Sequence, residues 1–315
     1  QKDYVAAAKT YSRLLEMGQT STEVWIRLID IHLKLNNPDK ALQLVKDGPQ
    51  KENFLLRAAG LFLQEKFYTQ AEQIFSFFET KPSSLDKYYF YLSVLAYEGQ
   101  DSPQKALEYL QKIKPDSKIY PKSLALQARL FLQLDNYQKA QDLARKGQQR
   151  FPSDKDFWLI ESSILERQNN YQQAEKTLEQ ALEHLPEDQD LLYHLALIEH
   201  QMNKKNKALQ TMEQVISINP EHAQALNFVG YTLADSEKDL DRALVLVKKA
   251  LQLDPENGFI LDSLAWVYYK QGKVQKAWET IEQAISKVHN DPIIWDHYGD
   301  IALSADLKKK KKKGY

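Results

Sequence analysis

The sequence predicts an all-α solenoid, and three observations carry that prediction. Alanines recur at Ala7, Ala41, Ala71, Ala106, Ala140, Ala174, Ala208, Ala243 and Ala277, at spacings of 34, 30, 35, 34, 34, 34, 35 and 34 residues. A period of that length marks stacked units and not one globular core. Glycine numbers only 10 in 315 residues, too few for the many tight turns of a Rossmann or barrel enzyme. Hydrophobic residues at 43% and charged residues at 27% leave enough apolar content for a core and exclude wholesale disorder.

Each alanine sits in an amphipathic stretch. A larger apolar residue usually follows four positions later: Tyr11, Val45, Phe75, Leu110, Leu178, Met212, Val247 and Ile281. Four residues is about one helical turn, so both face the same side of a helix. Twelve residues after the alanine, Pro152, Pro186, Pro220 and Pro255 close the unit, where a missing N–H costs least. Upstream lies a second amphipathic pattern: Trp25-x-x-Leu28, Leu192-x-x-Leu195-Ala196, Leu226-x-x-Val229-Gly230, Leu261-x-x-Leu264-Ala265-x-x-Tyr268 and Trp295-x-x-Tyr298-Gly299. The small residue lets two antiparallel helices approach closely.

These residues, from Ala7 to Gly299, resemble the tetratricopeptide repeat (TPR) family and its W-x2-L-G-x2-Y…A-x3-F…P pattern. The resemblance implies helical hairpins winding into a right-handed superhelix, with the first helix of each unit lining the concave face. It implies a single solenoid over 1–315: a half-repeat over 1–20, repeats over 22–51, 52–86, 87–120, 121–154, 155–188, 189–222, 223–257 and 258–291, and a truncated repeat over 292–315. The 30-residue step from Ala41 to Ala71 predicts a tightened turn or kink within Asp47–Asn53, and Glu161 and Ser162 stand where Leu and a small residue are usual. Half-repeats at both ends leave homo-oligomerisation through uncapped ends as one expectation. The segment Ala223–Ala284 is similar to bacterial TPR envelope lipoproteins, some of which act as adaptors recruiting a protease. That resemblance implies a bacterial periplasmic or outer-membrane-anchored protein, with the cytoplasm left open.

The search for chemistry returns little. With no cysteine, disulfides, thiolate zinc sites and cysteine nucleophiles are excluded. No phosphate loop, H-E-x-x-H or G-x-S-x-G is present, so neither an enzyme nor a cofactor is expected. His194 and His200 are six apart, the wrong spacing for a metal pair on one helix, and His184 lies near a helix end, so no metal site is expected. Glu187 and Asp190 follow a proline and read as favourable charges at a helix start. Lys+Arg at 42 nearly balances Asp+Glu at 43, and without Lys308–Lys313 the balance is 36 to 43, so no global field points to nucleic acid. The lysine run stands where a second helix is due, with Lys311 in the alanine slot. No stretch of 18 apolar residues suggests a membrane span, and the opening Gln1-Lys2-Asp3 is not a leader, so any signal or anchor is expected outside this sequence.

The expected site is therefore a surface. On the first helices of repeats 6 to 9 the open stripe carries Tyr193, His194, Asn227, Tyr231, Asp262, Trp266, Tyr269, Asp296 and Asp300. Each aromatic has two readings, a filler between repeats or an anchor for a ligand. The aspartates, taken as exposed, favour a protein or peptide partner with a basic segment. The carboxylate clamp of chaperone-binding relatives is not matched, since its sites in repeat 1 hold Ile26 and Asp30 and later repeats offer Asn227 without the lysines. The expected function is a non-enzymatic scaffold or adaptor with its partner in the concave groove. The alternative is a structural subunit of a permanent complex, such as secretion, pilus or motility machinery.

Overall fold

The period is built from helical hairpins: in a computed structural model, the described residues hold eighteen α-helices and no strand. The backbone is described over 2–78 and 82–313, and side chains over 3–78 and 82–305. The chain forms two compact units, residues 1–151 and 152–315. The first contains α1 (Lys2–Glu16), α2 (Thr22–Lys34), α3 (Pro38–Asp47), α4 (Glu52–Gln64), α5 (Tyr68–Ser76), α6 (Leu85–Val94), α7 (Pro103–Leu110), α8 (Tyr120–Gln133) and α9 (Tyr137–Arg150). The second contains α10 (Lys155–Arg167), α11 (Tyr171–His184), α12 (Gln189–Gln201), α13 (Lys205–Ile218), α14 (Ala223–Asp235), α15 (Leu240–Leu253), α16 (Gly258–Lys270), α17 (Val274–Lys287) and α18 (Pro292–Lys313).

One turn recurs. Asn36, Lys66, Asp101, Asp135, Asn169, Asn203, Glu237 and Gly272 all have positive φ, each just past the end of a first helix. In the turn at Asn36, its N–H donates to the Leu33 carbonyl and that of Asn37 to the His32 carbonyl, the paired bonds of a Schellman motif. The same pair recurs in the turns at Lys66, Asp135, Asn169, Asn203, Glu237 and Gly272. The chain thus reverses in about three residues while satisfying carbonyls that a helix end leaves free. Starts are fixed by side chains: Asp154, Asp188, His222 and Asn257 each accept a backbone N–H at the first turn of α10, α12, α14 and α16.

The registered alanines explain the packing. Ala41, Ala71, Ala106, Ala140, Ala174, Ala208, Ala243 and Ala277 are all fully buried at the hairpin crossings. Opposite them, a Cβ added to Gly230 would stand 2.5 Å from Val247 Cγ2 and 3.1 Å from the Ala243 carbonyl oxygen. Only a glycine leaves the two backbones that close. A second, ionic seam joins α11, α12 and α13. There Lys207 pairs with Glu175 at 2.9 Å, Glu179 at 3.1 Å and the fully buried Glu199 at 3.0 Å, and Thr211 donates to Glu199 at 2.9 Å.

The irregular spacings have distinct causes. The 30-residue step reflects a shortened helix, not a kinked turn: α3 has 10 residues where α9, α11, α13, α15 and α17 have 14. Its exposed end is closed by Gln50, whose amide donates to the carbonyls of Val45, Lys46 and Gly48. The 35-residue step to Ala106 is taken up where α6 runs into a π-helical turn, Leu95–Gly99. The step to Ala243 is taken up by a second left-handed residue, Asp239 (φ 42°), which also caps α15.

The second helix due at the lysine run is not separate from the first: α18 continues through Lys313, and among the described residues a Cβ at Gly299 would meet nothing within 4 Å. The side chains of Lys308–Lys313 lie outside the described residues.

Candidate binding groove

Repeat register places like positions of successive first helices on ladders. Asn227, Asp262 and Asp296 form one ladder, and Gln224, Phe259 and Ile293 form a second, one helical turn closer to the helix starts. In the second unit all of these residues except Asp296 line a groove of about 360 Å³. Tyr193 from α12 and Asn227, Phe228 and Tyr231 from α14 line it. So do Phe259, Ile260, Asp262 and Ser263 from α16, with Asp291, Ile293 and Ile294 at the start of α18. Phe259 and Ile293 are 53% and 56% exposed, so their apolar surface faces water at the rim.

Of the nine residues expected on the open stripe, Tyr193, Asn227, Tyr231 and Asp262 line this groove. Tyr193 is half-buried against His222, ring centroids 5.0 Å apart, and His194 is half-buried beside it at 5.8 Å. Asp296 and Asp300 are exposed. Asp262, 5% exposed, corrects the expectation of exposure, and Trp266, 6% exposed, takes the first of its two readings, a filler between repeats. Asp262 is held by the buried His297, whose Nδ1 lies 2.9 and 3.0 Å from its two oxygens. Trp266 stacks on that imidazole at 4.0 Å and 18°, and on Tyr269 at 5.1 Å, with the Lys270 ammonium 4.8 Å over its ring. Asp262 and Trp266 thus sit within a stacked, hydrogen-bonded junction between α16 and α18. Carboxylate and imidazole satisfy each other there, which is what makes burial of both tolerable.

The electrostatics of the groove are legible at Tyr231. Its hydroxyl is pushed up to about 12, first by burial and then by the negative charges of Asp235, Asp262 and Asp296. Tyr193 is raised by burial as well, and burial lowers His194, so these groups stay neutral at ordinary pH. Asn227 keeps its amide oxygen buried without a donor among the described residues, an acceptor on the groove wall. The arrangement can hold an apolar side chain on Phe259 and Ile293, stack or hydrogen-bond at Tyr193 and Tyr231, and attract positive charge. Among the described residues no cluster of three or more His, Asp or Glu is placed to hold a metal ion, and no helix is long and apolar enough to cross a membrane.

Sequence reasoning missed Phe259, Ile293 and His297. Phe259 and Ile293 are 34 residues apart and stand off the buried stripe of their helices, so the period itself signalled them. His297 had no such signal, since its counterparts one and two repeats earlier are Ser263 and Phe228.

A family model described as tetratricopeptide repeat matches residues 1–61, 165–230 and 236–299, and a second so described matches 126–174. The chain belongs to the tetratricopeptide repeat family. A TPR repeat-containing protein of Pseudomonas aeruginosa is 39% identical over 80 residues, 25% of this chain and 13% of that protein, so the chain spans about an eighth of that relative's length. Among solved structures, yeast Tom70 superposes with a TM-score of 0.63 at 14% identity, over 98% of this chain and 60% of that one. A chain from the Cut9–Hcn1 hetero-tetramer of the APC/C gives 0.56 at 13%, over 89% and 63%. At these identities the likeness to the solved TPR structures is one of fold. TPR units are modules for binding proteins, and the chain is an interaction scaffold of that class.

Proposed function

We propose that this TPR chain is a non-enzymatic adaptor that seats a segment of a partner protein in the groove of its second unit. The segment combines an apolar residue with Arg or Lys. The observation that supports the reading most is the pairing of an exposed apolar rim, Phe259 and Ile293, with the negative charges of Asp235, Asp262 and Asp296, which act on Tyr231 in the groove wall. Rigid aromatic surface supplies contact area at low entropic cost, and surrounding carboxylates select the sign of the partner. An adaptor of a bacterial envelope, bringing an enzyme to its substrates, fits the similarity of Ala223–Ala284 to envelope lipoproteins.

Because Asp262 is bonded to His297, replacing it would disturb folding. Asp296→Asn and Phe259→Ala are the informative changes, since both side chains are exposed. Selection from a random peptide library at low salt is expected to enrich sequences with Arg or Lys beside an aromatic or aliphatic residue. Asp296→Asn should weaken the selected peptides mainly at low ionic strength, and Phe259→Ala at all ionic strengths. Absence of such basic and apolar sequences from the selection, or affinities for them unmoved by both substitutions, would overturn the reading.

A further inference from the structure

The first unit carries the opposite charge. Residues 1–151 hold 22 Lys and Arg against 17 Asp and Glu, a net of +5, whereas 152–315 hold 20 against 26, a net of −6. The excess is local: residues 101–150 alone have ten basic and five acidic side chains. A cavity of about 570 Å³ opens between the first turn of α6 and the connection from α7 into α8. Lys87, Lys114, Lys118 and Lys122 line it together with Ser84 and Ser117. None of these four ammonium groups has an ion-pair partner among the described residues. Lys87 contributes its stem, since its ammonium lies 5.6 Å over the Tyr91 ring, where burial and the positive charge of Arg57 hold it below its usual value. The one carboxylate in the lining, Asp86, accepts the backbone N–H of Lys114 at 3.2 Å. Nearby, Glu52 is spent on the N–H groups of Ser83 and Ser84. The first N–H groups of α6 receive no side-chain cap from Ser84, which adds the positive end of a helix to the lysines.

The exposed Lys114, Lys118 and Lys122 repel one another, and a ligand that supplies negative charge relieves that repulsion. We propose that this cavity is a docking site for an acidic peptide segment with several Asp or Glu side chains. A segment fits better than a single phosphoryl group for two reasons. The volume is that of a pocket for a multi-atom ligand. Lysines, moreover, are point charges on flexible stems that meet dispersed carboxylates, whereas one fixed oxyanion favours the planar fork of arginine. The site lies at helix starts and in a connecting loop, away from the open stripe of the first helices, and is independent of the groove in the second unit.

The test uses a fluorescent hexaglutamate peptide and the whole chain. Binding is expected at low salt, weakening steeply toward about 0.15 M. Lys118→Gln with Lys122→Gln, both exposed positions, should weaken it roughly tenfold, or about 1.4 kcal/mol. Lys248→Gln with Lys249→Gln in α15 removes the same charge elsewhere and should leave binding within about twofold. Equal losses in the two double variants would mean attraction by net charge alone, and the site would be wrong. Absence of binding at low salt also overturns it. So does displacement of the peptide by inorganic phosphate at matched charge, which would make the site a reader of single oxyanions.

Discussion

His32 shows how much one side chain can cost. It lies 4% exposed in α2, and neither ring nitrogen has a hydrogen-bond partner among the described residues. Burial, then the charge of Lys40, lowers its pKa from the ordinary 6.5. Below about 6.5 the unfolded chain therefore takes up a proton that the folded chain refuses, so stability falls as pH drops through that window. His194, lowered by burial, acts in the same direction. We expect His32→Leu to raise stability by about 1–3 kcal/mol at neutral pH, since unsatisfied buried polar atoms cost that much. The variant should also lose part of the decline in melting temperature between pH 7 and pH 5. An unchanged pH profile would show that His32 is not neutral and buried in solution. At this scale the sequence was only half legible. Asp262 carried the right type for a groove wall, but its burial depends on His297, 35 residues away, and no local pattern announces that pairing.

Elements were far more legible, because the turn that joins them repeats. Asparagine or aspartate fills most of the left-handed positions, as expected of residues that tolerate that conformation. Lys66, at φ 62°, does not belong to that set. Lys66→Gly should stabilise the hairpin of α4 and α5 by about 1 kcal/mol, the strain of a left-handed residue with a Cβ. Chemical denaturation is the measurement, and a loss of stability would mean that the lysine stem contributes packing worth more than the strain. The α3 shortening shows where periodic reasoning stops: a missing four residues could be placed between Ala41 and Ala71, but spacing alone could not say whether a helix or a turn gave them up.

For the molecule as a whole, contacts between helices join sequence neighbours or next neighbours within each unit. Stability in such an array is a sum of local terms. Gly230→Ala puts a methyl group 2.5 Å from Val247, an overpacking cost of about 1–3 kcal/mol that outweighs the roughly 1 kcal/mol a helix gains from alanine. Hydrogen exchange should accelerate in α14, α15 and their neighbours α13 and α16, and stay unchanged in α4 and α5. Acceleration everywhere would show the chain to be more cooperative than its contacts imply. The fold class was readable from nine alanines, eight of which are fully buried where helices cross. The opposed charges of the two units escaped notice because the whole-chain balance cancels them.

The three ways in which the period is mended have a consequence for how such a chain can change. A one-residue insertion is swallowed by the π-helical turn at Leu95–Gly99, another by the left-handed pair Glu237 and Asp239, and a four-residue loss by one missing turn of α3. In each case the next alanine still arrives at its crossing, so an error in length is discharged inside the hairpin where it arose. A lineage of such proteins can therefore gain or shed residues at the hairpin ends without renegotiating any distant contact. Those same ends are the places to graft a short tag or a new loop.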